Sequence, residues 1–108
     1  MFTLSMNIQC SKECKDGKQR NFVSFYLNDV LLLKQKFPYD ETYERGFDRR
    51  TLIYDVYLFN GKIYQKRKIW HGCMHPKNET EPFREVSYPV SRKILERLGV
   101  PKDLKIYL

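Results

Sequence analysis

Lysines and aromatic rings interleave across residues 51–70. With Asn60-Gly61 as a turn, Tyr57 falls opposite Tyr64, Asp55 opposite Lys66, Phe59 opposite Lys62 and Ile53 opposite Lys68, with Trp70 at the far end. That combination suits a single strand of nucleic acid, because bases stack on rings while ammonium groups follow phosphates. The same pairs also stabilise an ordinary solvated sheet face, or one that a helix covers. More cations, Arg92, Lys93 and Arg97, lie opposite an apolar helical stripe, as on any amphipathic helix. The expected nucleic-acid-binding set is Tyr57, Lys62, Tyr64, Lys66, Lys68, Trp70, Arg92, Lys93 and Arg97.

Thiols and imidazoles raise the question of zinc, for which they are the preferred ligands. The candidates are Cys10, Cys14, His71, Cys73 and His75. Cys10 and Cys14, four strand residues apart, would sit about 13 Å from each other, too far to share an ion. His71, Cys73 and His75 alternate, so an extended segment would point them the same way. Their spacing matches no strong zinc pattern, and no metal or other cofactor is expected.

Cys14 and Arg20 are separated by five residues, a string that resembles the phosphate-binding loop of cysteine-dependent phosphatases. The resemblance implies a thiolate nucleophile at Cys14 and an oxygen-binding Arg20. It covers seven residues, Asp16 would repel a phosphate, and the stretch after Arg20 reads as a strand where those enzymes have a helix. The carboxylates Asp40, Glu41, Asp48, Asp55, Glu79, Glu81 and Glu85 are scattered, and no Gly-rich nucleotide loop is present. No catalytic residue is assigned and the expectation is a protein without enzymatic activity.

These residues need elements to hold them. Phe2, Leu4, Met6, Ile8 and Cys10 alternate with polar residues, a period-2 strand with one buried face. Folding at Asp16-Gly17 sets Glu13 against Arg20, Cys10 against Val23, Ile8 against Phe25 and Met6 against Leu27. Asn28 predicts the cap of a short helix through about Phe37, although Val30 to Leu33 also fits a buried strand. A loop is expected from Tyr39 to Arg50. In the central hairpin Leu52, Val56, Leu58, Ile63 and Ile69 form the core face. After a second loop, His71 to Pro82, Phe83 to Ser87 reads as a strand and Pro89 marks a helix start. Val90, Ile94, Leu95 and Leu98 make a helical stripe that Gly99 ends, and Leu104, Ile106 and Leu108 alternate in a last strand.

The expected fold is therefore a small α+β domain spanning residues 1–108. It is mostly antiparallel sheet, from hairpins at about 2–14/18–27 and 51–59/62–70, with short helices at about 28–37 and 90–98 and a C-terminal strand. A chain of 108 residues is long enough to bury a core without disulfides or metal. Three cysteines without regular spacing suggest reduced thiols and a cytoplasmic setting. No apolar run is long enough to span a bilayer, and the N-terminal residues carry no signal-peptide pattern.

Twenty Lys and Arg against thirteen Asp and Glu leave a net charge of +7, which attracts polyanions. Alanine is absent while Lys, Tyr and Phe abound, a hint of an AT-rich genome, viral or mobile. The leading expectation is a small basic protein that binds DNA or RNA. The rival is a protein-binding accessory factor or inhibitor of a host or defence protein, docking through Tyr39, Tyr43 and Phe47 or through a strand edge that also suits a homodimer.

Overall fold

Asn60 and Gly61 turn the chain with φ of 49° and 75°, the left-handed pair that a type I′ hairpin requires. The turn joins β4, Phe47–Phe59, to β5, Lys62–Cys73. The computed structural model describes residues 1–10, 21–36, 47–73 and 83–108, and for residues 10, 21, 47–51 and 69–73 the backbone alone. Both strands run further than the alternation suggests, so Phe47 to Arg50 and His71 to Cys73 are strand where the sequence predicts loop.

Next to the turn the pairing is as expected, with Phe59 facing Lys62 and Tyr57 facing Tyr64. Beyond it a β-bulge intervenes: the register slips between Tyr54 and Tyr57, where Asp55 takes a φ of 50°. One extra residue in one strand reverses which side its later residues face. Tyr54 therefore faces Lys66, Ile53 faces Arg67 and Leu52 faces Lys68. Two assignments exchange places: Ile53, expected outside, packs against the core, and Leu52, expected inside, joins the lysine side.

Three strands make a separate sheet in the order β1-β2-β3: β1, Leu4–Cys10, β2, Asn21–Leu27, and β3, Val30–Lys36. The β1/β2 register lies two residues from the expected one, pairing Met6 with Phe25, Ile8 with Val23 and Cys10 with Asn21. A shift of two preserves the faces, so Leu4 is buried, although Ile8 is 49% exposed. The expected Asp16-Gly17 turn and the Glu13/Arg20 pair lie outside the described residues.

The helix expected over 28–37 is strand β3. Asn28 and Asp29 have φ of 47° and 65°, a second type I′ turn, whereas a helix cap needs a β-region backbone. Asn28 instead ties down the start of β1: its Oδ1 accepts from the Thr3 amide at 2.8 Å and its own amide donates to the Thr3 carbonyl at 3.0 Å. Leu32 is an extra residue between the Phe25/Leu33 and Tyr26/Leu31 pairs, and it is buried.

The second sheet has the order β6-β5-β4-β7, where β6 is Arg84–Pro89 and β7 is Ile106–Tyr107. Pro89 closes β6 opposite Lys62 and does not open the helix. Of the last alternating residues only Ile106 is buried, with Leu104 and Leu108 exposed. The one described helix, α1, is Arg92–Leu98. Gly99 ends it in the left-handed conformation at φ 71°, and the Val100 amide donates back to the Leu95 carbonyl.

Both sheets and the helix contribute to one core. Val23, Phe25, Leu27 and Leu32 come from the first sheet, Val56, Leu58 and Ile63 from the second, Leu95 from the helix and Val90 from the link between β6 and the helix. Phe25, Leu27, Leu58 and Ile63 are almost completely buried, each contributing about 1.5–3 kcal/mol by leaving water. The described residues thus form a mostly antiparallel fold of seven strands and one short helix.

Asp29→Gly tests the turn. A left-handed backbone costs an L-residue about 1–2 kcal/mol, and glycine's extra chain entropy returns about 0.5–1. The variant should be up to about 1 kcal/mol more stable in urea denaturation. A loss of about 1 kcal/mol, as for glycine inside a helix, would contradict the turn.

Candidate functional site

Alternation along β5 sends Ile63, Gln65 and Arg67 inward and Lys62, Tyr64, Lys66 and Lys68 outward. The inward three are buried and the outward four are open or partly open. Across the sheet, register sets Ser87, Tyr64, Tyr57 and Tyr107 in one row. Tyr57 and Tyr64 stack face to face, with centroids 4.9 Å apart and planes 8° apart. Tyr107 continues the row, 5.6 Å from Tyr57 and tilted by 42°.

The next row along the strands holds Glu85, Lys66 and Tyr54. Asp55, turned by the bulge, reaches Lys66 with an Oδ2 to Nζ distance of 3.4 Å. The pairing expected from sequence is therefore made, diagonally across the bulge. Both groups are substantially exposed, so the pair is worth about 0–1 kcal/mol and is easily exchanged for another partner.

Phe83, just before β6, meets Tyr54 edge-on at 5.3 Å and carries Lys68 Nζ 4.6 Å above its ring centre. At the turn end Lys105 Nζ lies 5.1 Å from the Tyr57 ring and 5.6 Å from that of Phe59. Tyr54, Phe83 and Tyr107 keep 43%, 51% and 64% of their surface open, so among the described residues no element lies over them. A groove of about 510 Å³ runs across this face, with Tyr57, Tyr64, Tyr107, Lys66, Asp55 and Glu85 in its lining.

Of the expected set, Tyr57, Lys62, Tyr64, Lys66 and Lys68 share this face. Trp70 is described as backbone only, opposite Arg50. Arg92, Lys93 and Arg97 are exposed on α1, a different element whose Leu95 is buried in the core. Tyr54, Phe83, Lys105 and Tyr107 join the face without having been expected there. Tyr54 arrives through the bulge, and Lys105 and Tyr107 through the pairing of β7 with β4. The alternation around Ile106 was the signal available for Lys105 and Tyr107.

The first sheet also pairs lysines with ring and polar residues, over a Ser24 that is buried. Phe22 and Lys36 are cross-strand partners, as are Ser24 and Lys34, and Lys34 Nζ lies 5.3 Å from the Phe22 ring centre. These lysines fall in the segment expected to be helical.

Behind the lysine face, Arg67 is only 6% exposed. Its Nε donates to Gln65 Oε1 at 2.8 Å, Nη2 to Gln35 Oε1 of β3 at 3.1 Å and Nη1 to the Tyr88 hydroxyl at 3.5 Å. The guanidinium carbon also sits 5.2 Å from the Tyr88 ring centre. Burial pushes the Arg67 pKa below the usual arginine value, which the Tyr88 hydroxyl partly offsets. Arg67 is thus a polar bolt between the two sheets. Gln65 and Arg67 share the side of Ile63, so the alternation did point to them.

The thiols and imidazoles considered for zinc lie outside the described side chains, and among the described residues no cluster of His, Cys, Asp and Glu could hold a metal ion. Cys14 and Arg20 are also outside, but Asn21–Leu27 is a strand where the phosphatase loop requires a helix. Tyr39 and Tyr43, proposed for protein docking, fall outside the described residues as well, and Phe47 is described as backbone only. No described helix is long and apolar enough to cross a membrane. No family model matches the chain, and comparison with curated proteins and with solved structures finds no match.

Arg67→Ala would leave Gln35, Gln65 and Tyr88 without their donor and open a cavity, so it should cost about 2–4 kcal/mol in urea denaturation. Lys68→Ala, which removes one partly exposed cation over a ring, should cost less than about 1 kcal/mol. Equal losses would contradict the assignment of these neighbours to opposite sides of β5.

Proposed function

We propose that this protein binds single-stranded nucleic acid on the outer face of the β6-β5-β4-β7 sheet. The observation that carries this reading is the row of Tyr64, Tyr57 and Tyr107, ring against ring, whose two outer rings each have a side turned away from Tyr57, with Lys105 over Tyr57 and Lys66 in the next row. Stacking on aromatic side chains is the sequence-tolerant way to hold unpaired bases. A duplex hides those base faces, so the platform discriminates between paired and unpaired strands.

Charge supports the same ligand. Lys62, Lys66, Lys68 and Lys105 stand on this face against Asp55 and Glu85, in a protein of net charge +7. The lysines at either end, Lys105 and Lys62 near the turn and Lys68 beside Phe83, suit phosphates entering and leaving the groove. The tyrosines between them suit the bases.

Fluorescence anisotropy with a labelled single-stranded oligonucleotide and the matching duplex tests the proposal. The single strand should bind more tightly, and log affinity should fall against log salt with a slope of about −2 if Lys62, Lys68 and Lys105 meet phosphates. Tyr64→Ala should weaken binding by about 1–3 kcal/mol. No binding at low salt, or a Tyr64→Ala variant that binds as well as the parent, would overturn it.

A further inference from the structure

The groove beside the stacked tyrosines contains carboxylates, which a surface built only to neutralise phosphate would omit. Asp55 and Glu85 both line it together with Tyr57, Tyr64 and Tyr107. Glu85 stands directly across from Lys66, and Asp55 meets the same lysine at 3.4 Å. One cation therefore sits between two anions, and the trio carries a net negative charge. A phosphate is repelled from this spot, so the part of a strand lying here has to be a base.

The bulge aims one of these carboxylates. Asp55 has a φ of 50° at the point where the strand slips register, and bulges commonly redirect a side chain beside a binding site. Its exposed ion pair with Lys66 is weak enough to yield to a ligand. A carboxylate only accepts hydrogen bonds, so the base must offer donors. Cytosine and adenine present an exocyclic amine, and guanine presents an amine beside a ring N–H. Thymine and uracil present one ring N–H flanked by two carbonyl oxygens, whose lone pairs oppose the same anion.

We infer that Asp55 and Glu85 read the edges of bases stacked at the ends of the tyrosine row, on Tyr64 and Tyr107, favouring bases with an exocyclic amine over thymine and uracil. This inference rests on the nucleic-acid reading above and adds a specificity to it.

The test is affinity for octamers of deoxycytidine and of deoxythymidine, two pyrimidines that differ at the edge in question. The parent protein should prefer the cytidine octamer by about tenfold, within the range for one well-made base contact. Asp55→Asn keeps a residue that tolerates the left-handed backbone, and Glu85→Gln keeps the shape of the side chain. In either variant the preference should shrink toward parity, because an amide donates as well as accepts. Circular dichroism and urea midpoints check that both variants stay folded. Equal affinity for the two octamers in the parent, a preference for thymidine, or an unchanged ratio in both variants overturns this inference while leaving the stacking proposal standing. Failure of both octamers to bind at low salt overturns the two together.

Discussion

A single extra residue in β4 decides which side of the central sheet the far half of that strand contributes to. From the turn outward, strict alternation would bury Leu52 and expose Ile53. The bulge at Asp55 reverses that, sending Ile53 to the core and Tyr54 outward to meet Phe83. A slip of one residue exchanges every later side chain between faces. The placement of Ile53, Tyr54 and the Asp55 carboxylate is therefore one geometric fact, while the lysines and the inward Arg67 follow from the unbroken alternation of β5.

The two sides of β5 also depend on one another energetically. Inward, Ile63 is fully buried, and Arg67 is held by oxygens from Gln65, Gln35 and Tyr88, linking three strands in two sheets. Such a group is costly to move, since a buried charge without its partners loses far more than a surface one. That cost fixes the strand against slipping. The outward side can then carry like-charged lysines and open rings, which contribute little to stability, in a defined order. A rigid sheet with a soluble face is a good platform for a ligand because little order remains to be imposed on binding.

The Asn60-Gly61 hairpin was legible because the turn pair demands a particular backbone and the flanking residues alternate cleanly. Within it, Tyr57, Lys62, Tyr64, Lys66 and Lys68 were placed correctly because β5 is regular throughout its described side chains. β4 was half legible: the bulge is carried by an ordinary Asp, without the glycine that usually announces one. β3 was misread because Asn28 favours helix caps and left-handed turns alike, and Val30 to Leu33 has no periodicity of its own. The first hairpin kept its faces through a two-residue register shift, since only odd shifts exchange sides. Arg67 escaped notice because a cation is so rarely buried. Alternation around Ile106 sets Lys105 and Tyr107 on one side, but which strand β7 joins is a long-range pairing that no local pattern encodes.

The proposed role of the second sheet's outer face as a ligand face is tested most directly by amide chemical-shift mapping during titration with a single-stranded oligonucleotide. The largest shifts are expected at Tyr57, Tyr64, Lys66, Lys68, Ser87 and Tyr107, with Ser24, Tyr26 and Lys34 on the other sheet unmoved. Shifts centred on that other sheet, or none at saturating oligonucleotide, would contradict it.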